Sequence, residues 1–201
     1  IENFTYQNTS DSPSTNIGID VVVNDGSTSG ALTYDAEVLT DSPAAYWQLN
    51  ETSGATATNL GSLGSVDGTY TGGVTLNAPG LYPSSSGSVD FDGTNGYVDI
   101  PNSSGINTSS INVRSIELIF NADTVSGRQM LFEEGGGTNS FNIYIDNGDL
   151  YVNARDSGEF GPFNFSAPVV AGQTYHVAFV FDPFGNGLFE GFLDGVSFGS
   201  A

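Results

Sequence analysis

The stretch FNIYIDNGDLYVNAR, Phe141 to Arg155, decides the fold. Two runs alternate apolar and polar residues with the period of a strand, and Asn147-Gly148 stands between them. That dipeptide suits a two-residue type I′ turn, in which both central positions need φ > 0. Folding there sets Ile145 against Leu150 and Ile143 against Val152 on one face, and Tyr144 against Tyr151 on the other. Turn chemistry and apolar pattern agree on one register, so the segment is a β-hairpin.

Outward from it, Tyr175, Val177, Phe179 and Phe181 give a strongly apolar strand face, and Asp194-Gly195 closes a second hairpin that sets Leu193 against Val196 and Gly191 against Phe198. Before the central hairpin, Ile116, Leu118 and Phe120 share a strand, and Val89 and Phe91 lead into the Asp92-Gly93 turn and a strand from Tyr97 to Ile100. Ala45, Trp47 and Leu49, alternating with Tyr46, Gln48 and Asn50, read as a first strand. Further upstream, Ile17, Ile19, Val21 and Val23 share a strand face that ends in Asn24-Asp25-Gly26, and residues 31–40 read as extended, without helical periodicity.

Composition agrees with an all-β chain. Its 27 Gly, 14 Phe and 9 Tyr in 201 residues deliver apolar bulk in short pieces between many turns. Three basic residues, Arg114, Arg128 and Arg155, face 23 acidic ones, for a formal net charge of −20. Such a surface repels nucleic acid and anionic membranes. Carboxylate-bound divalent cations would relieve its self-repulsion. No Cys is present, so neither disulfides nor thiolate chemistry contribute, which fits the outside of a microbe. No apolar run approaches the roughly 20 residues of a membrane helix. A chain that opens at Ile1 with no signal peptide reads as a fragment of a longer precursor.

Five pieces in order, SPAAYWQLNETSGATATNLGS (42–62), SVDFDGTNGYVDIP (88–101), SIELIFNAD (115–123), TYHVAFVFD (174–182) and GFLDGVSFGSA (191–201), resemble the laminin G-like, concanavalin A-like domains of large bacterial-type surface proteins. The first 36 residues, with Val23-Asn24-Asp25-Gly26, resemble the last strands of a cadherin-like repeat of Ig-like build. The resemblance implies an antiparallel jelly-roll sandwich over 37–201, preceded by a short β-rich segment over 1–36. It also implies a closing strand after the last hairpin, which the sequence to Ala201 lacks; residues beyond it, the segment Ile17 to Val23, or a neighbouring copy would supply it.

By the same resemblance, calcium sits in the loop after the first strand, with Glu51, Asn59 and Asp67 as side-chain ligands, and Asn59 stands where the family often has Asp. The implied function is a non-catalytic extracellular adhesion or ligand-binding module that recognises a glycan or a surface protein and depends on calcium. The alternative is a structural subunit of an extracellular filament assembled by strand exchange between copies.

Catalytic candidates give way to simpler readings. Glu133 and Glu134 are adjacent and so face opposite sides of any strand, followed by a loop at Gly135 to Gly137; Asp90 and Asp92 have cleft-like spacing but sit at a turn. His176 is the one histidine, too few for a His-based metal site, and lies on the strand face opposite Tyr175 and Val177. Tyr144 and Tyr151 would make a sugar platform if their face is the exposed one, and a second core layer if it is not.

Overall fold

The central hairpin forms in the expected register. A computed structural model describes residues 33–108, 113–136, 139–156, 160–182 and 188–201, all within one compact unit, Thr33–Ala201. The expected strand of Ile17, Ile19, Val21 and Val23, and Gly137, lie outside the described residues. In chain order the elements are helix α1 (Tyr34–Thr40) and strands β1 (Thr56–Ala57), β2 (Gly68–Thr71), β3 (Val74–Ala78), β4 (Ser88–Phe91), β5 (Tyr97–Asp99), β6 (Arg114–Asn121), β7 (Arg128–Gly135), β8 (Ser140–Asp146), β9 (Asp149–Asp156), β10 (Phe160–Pro168), β11 (Thr174–Asp182), β12 (Leu188–Leu193) and β13 (Val196–Ser200). They make an all-β, antiparallel jelly-roll-type sandwich.

Two four-stranded sheets hold the core, one in the order β10-β9-β8-β7 and the other β13-β12-β11-β6. In the first, Ile145 pairs with Leu150, Ile143 with Val152 and Tyr144 with Tyr151, and the turn has φ of 52° at Asn147 and 95° at Gly148. In the second, alternation buries Tyr175, Val177, Phe179 and Phe181 along β11. Ile143, Ile145, Leu150 and Val152 from one sheet and Val177, Phe179 and Phe189 from the other are all completely buried, forming one dry layer between the sheets. Smaller ladders, β1-β2-β5 and β3-β4, account for the remaining strands.

Three readings are corrected. Residues 31–40 are not extended throughout: Thr33 caps a helix over 34–40, its side chain accepting the Ala36 N–H at 3.3 Å, with Asp35 and Glu37 in the first turn. Ala45 to Leu49 makes a single bridge, Trp47 with Asn59, and not a strand; Leu49 has φ of 53°, which breaks the extended run. Its backbone is not a bare edge either: Tyr46 donates its N–H to Asn59 Oδ1 and accepts the Leu60 amide, and the Pro43 and Ala44 carbonyls just before it accept the Ser62 and Leu63 amides.

The third correction concerns the last hairpin. Leu193 does face Val196, but Gly191 pairs with Gly199, because Phe198 is an extra residue in a β-bulge. The Phe198 ring still lies on Gly191, where a Cβ would lie 2.7 Å from the ring and 2.8 Å from Val152. Glycine there makes room for an aromatic ring that packs against the core.

Candidate functional site

Burial of Ile143, Ile145, Leu150 and Val152 settles which way the central hairpin faces: Tyr144 and Tyr151 lie on the outer surface of their sheet. Their rings stack with centroids 5.0 Å apart and planes 9° from parallel, and the Arg128 guanidinium lies 4.8 Å from the Tyr144 centroid while bonding Asp146. The pair is therefore a platform fixed from beside and above, only half covered.

Register places the rest of this face in rows across the strands. Next to Arg128, Asp146, Asp149 and Pro168 comes Met130, Tyr144, Tyr151 and Ser166. The following row is Glu133, Asn142, Asn153 and Asn164, and beyond it Ser140 faces Arg155. Met130 and Glu133 are three residues apart, so a regular strand would send them to opposite faces. A bulge between Met130 and Phe132 inserts one residue and brings both outward.

The amides are ordered among themselves. Asn142 donates to Ser140 Oγ at 3.2 Å and to Asn153 Oδ1 at 3.5 Å, while Asn153 donates to the Phe163 carbonyl at 2.8 Å. A depression of about 370 Å³ opens here, with Met130, Glu133, Asn142, Asn153 and Arg155 among its walls. Among its described lining residues Glu133 is the one carboxylate; Glu134 points the other way and pairs with Arg114.

The loop expected to hold calcium is laced by hydrogen bonds. Glu51 accepts the Thr58 N–H at 2.8 Å on one oxygen and the Tyr70 hydroxyl at 2.5 Å on the other. Asp67 accepts the Asn59 N–H at 2.8 Å, and Asn59 Oδ1 accepts the Tyr46 and Gly61 amides at 2.9 and 3.0 Å. Two adjacent amides, Thr58 and Asn59, are thus received by Glu51 and Asp67. Partial burial raises the Glu51 pKa, but these two donors outweigh it and hold the carboxyl below its ordinary range. Among the described residues no group of three or more His, Asp or Glu is arranged to hold a metal ion.

Asp92 is a turn former, its Oδ1 accepting the Thr94, Asn95 and Gly96 amides. His176 stands on the outer face of the other sheet, 3.1 Å from Glu117, which also accepts the Tyr34 hydroxyl of α1 at 3.3 Å. The neighbouring Asp35 accepts hydroxyls from both Tyr46 and Tyr82. Sequence reading gave no sign of this polar seat for the helix, because its members come from four separated segments.

The Glu117 bond raises the His176 pKa, and the His176 bond lowers that of Glu117. His176 therefore contributes stability below its ordinary value of 6.5 that fades as pH rises through its raised folded value. Glu117 contributes above its ordinary 4.5, fading as pH falls through its depressed one. Both side chains are a third or more exposed, so the pair is worth under about 1 kcal/mol. Against His176→Gln, the melting temperature of the native chain gains most near pH 5–6 and the gap closes by about pH 9; a gap constant with pH would contradict the ion pair.

A family model described as the concanavalin A-like lectin/glucanases superfamily matches residues 92–201, more than half of the chain and the whole of the tyrosine face. No curated protein and no solved structure matches.

Proposed function

Because the chain belongs to the concanavalin A-like lectin/glucanases superfamily, we propose that it is a non-catalytic glycan-binding module of an extracellular protein, with the outer face of β7–β10 as its binding surface. The observation that carries this is the stacked Tyr144–Tyr151 pair, half exposed beside a row of one Glu and three Asn. Flat aromatic rings cover the apolar faces of sugar rings, and side-chain amides meet ring hydroxyls as donor and acceptor together. Hydrolysis of a glycosidic bond ordinarily uses two carboxyl groups flanking it. Glu133 as the one carboxylate among the depression's described lining residues supports binding without cleavage.

Tyr144→Ala removes the ring that backs Tyr151 and is expected to weaken oligosaccharide binding by tenfold or more in calorimetric titration, with the fold intact because the residue faces outward. Unchanged affinity would move the site elsewhere.

The wider setting belongs to the same reading: a large modular surface protein in which the end of a cadherin-like repeat, 1–36, precedes the sandwich, 37–201. The acidic, lysine-free and cysteine-free composition supports an extracellular place for it. Calcium dependence is supported by the charge of −20, which bound divalent cations would offset. Binding at Glu51, Asn59 and Asp67 would use the lone pairs their hydrogen bonds leave over, Asp67 accepting on Oδ1 alone. Chelation is then expected to lower the melting temperature, with magnesium restoring little because its octahedral demand suits such a loop poorly. An unchanged melting curve in chelator would remove calcium from the account.

A further inference from the structure

The glycan-binding reading leaves open which saccharides the face prefers, and the chain's few cations bear on that. Lysine is absent, and the three arginines have different fates. Arg114 is buried in its pair with Glu134. Arg128 is bound to Asp146 and laid against Tyr144. Arg155 is exposed and has no ion-pair or hydrogen-bond partner among the described residues, although 23 carboxylate side chains are available in the chain. Even Glu133, on the same depression, does not form an ion pair with it. Its five N–H donors are therefore unspent, in a fork that fits a carboxylate or sulfate with two parallel hydrogen bonds.

We infer that, resting on the glycan-binding reading above, the face selects an oligosaccharide bearing an acidic group, which Arg155 receives while a neighbouring sugar ring packs against Tyr151, Tyr144 lying between Tyr151 and Arg128. The two features lie on one strand. Tyr151 and Arg155 both point outward from β9, four residues apart, which is about 13 Å along the strand. A single sugar ring does not span that distance, so the ligand is a chain of at least two or three residues. It runs along β9 over Asn153, whose row supplies amides for the hydroxyls between.

The face is also polarised. At the end away from Arg155, Asp146 and Asp149 outnumber Arg128, so an acidic group is less favoured there than beside Arg155. The overall charge of −20 opposes any anion at long range, but at physiological ionic strength charges beyond about 8 Å are largely screened. Contact with one unneutralised guanidinium then decides.

Calorimetric titration of the full chain with two matched pairs tests this: trigalacturonate against galactotriose, and trimannuronate against mannotriose. Within each pair the sugars differ only at C6, a carboxylate on each residue of one and a hydroxymethyl on each residue of the other. The acidic member of at least one pair is expected to bind about tenfold tighter. Arg155→Gln should bring it to within about twofold of its neutral partner, and Arg155→Lys should restore part of the difference. Tyr144→Ala should weaken both members together. Equal affinity within both pairs, or an acid preference that survives Arg155→Gln, overturns the inference while leaving glycan binding in place. Binding of none of the four sugars overturns the glycan-binding reading itself. Because Arg155 is exposed, loss of the fold does not confuse the outcome, and a melting curve of each variant checks it.

Discussion

Replacing Arg114 with Met is expected to cost the fold about 3–5 kcal/mol, lowering the melting temperature by about 10 °C. Arg114 stands on β6 of one sheet and Glu134 on β7 of the other, and their side chains retain only 11% and 10% of their exposure. The guanidinium also donates to the Ile106 carbonyl at 2.8 Å and lies 4.7 Å from the Phe141 ring centroid, while its Nε is buried without a partner. One residue thus ties together both sheets and the loop before β6. Met fills the space but leaves the Glu134 carboxylate buried without its counter-charge, and that desolvated charge is the main source of the loss. The double change Arg114→Met with Glu134→Leu removes both charges and should recover most of the stability. If the single variant melts within about 2 °C of the native chain, the pair is not holding the sheets.

Phe189→Ala produces the other large effect, about 3–5 kcal/mol, seen as a lower urea midpoint with an unchanged slope. Phe189 is completely buried, and four rings surround it: Phe163 at 5.4 Å, Phe165 and Phe179 at 5.6 Å, and Phe181 at 6.4 Å between centroids. These come from β10 and β11, so truncation opens a cavity that no single side chain can refill. Phe189→Leu keeps most of the volume and should cost less than about 2 kcal/mol. Similar losses for Leu and Ala would mean that the site collapses around either one.

What the sequence discloses here follows the range of the forces involved. The Asn147-Gly148 hairpin is legible because turn residues and alternation are local and independent, and they agree. The buried face of β11 is legible for the same reason. Helix α1 has seven residues and no buried side chain, so it carries no apolar stripe; its one local sign is the Thr33 cap followed by Asp35 and Glu37. The bulges at Leu131 and Phe198 are set by packing against other strands, so the registers they shift are not written nearby.

The candidate site was half legible on the same grounds. Alternation alone pairs Tyr144 with Tyr151, but which face is wet depends on where the second sheet lies. Glu133 joins the site only through the bulge in β7, and Arg155 is distinctive only because the other two arginines find carboxylates 20 and 18 residues away. The Glu51, Asn59 and Asp67 set was drawn from resemblance; the three flank β1, each committed to hydrogen bonds that shape the segment.

The most direct measurement of the central claim is a heteronuclear NMR titration of the isotope-labelled chain with trigalacturonate and mannotriose. Saturable shifts concentrated on Tyr144, Tyr151, Asn142, Asn153 and Arg155, with none around Glu51, Asn59 and Asp67, are the predicted result. Shifts that cluster in the 51–67 loop, or on the His176 face of the other sheet, while the tyrosine rows stay still, would contradict it.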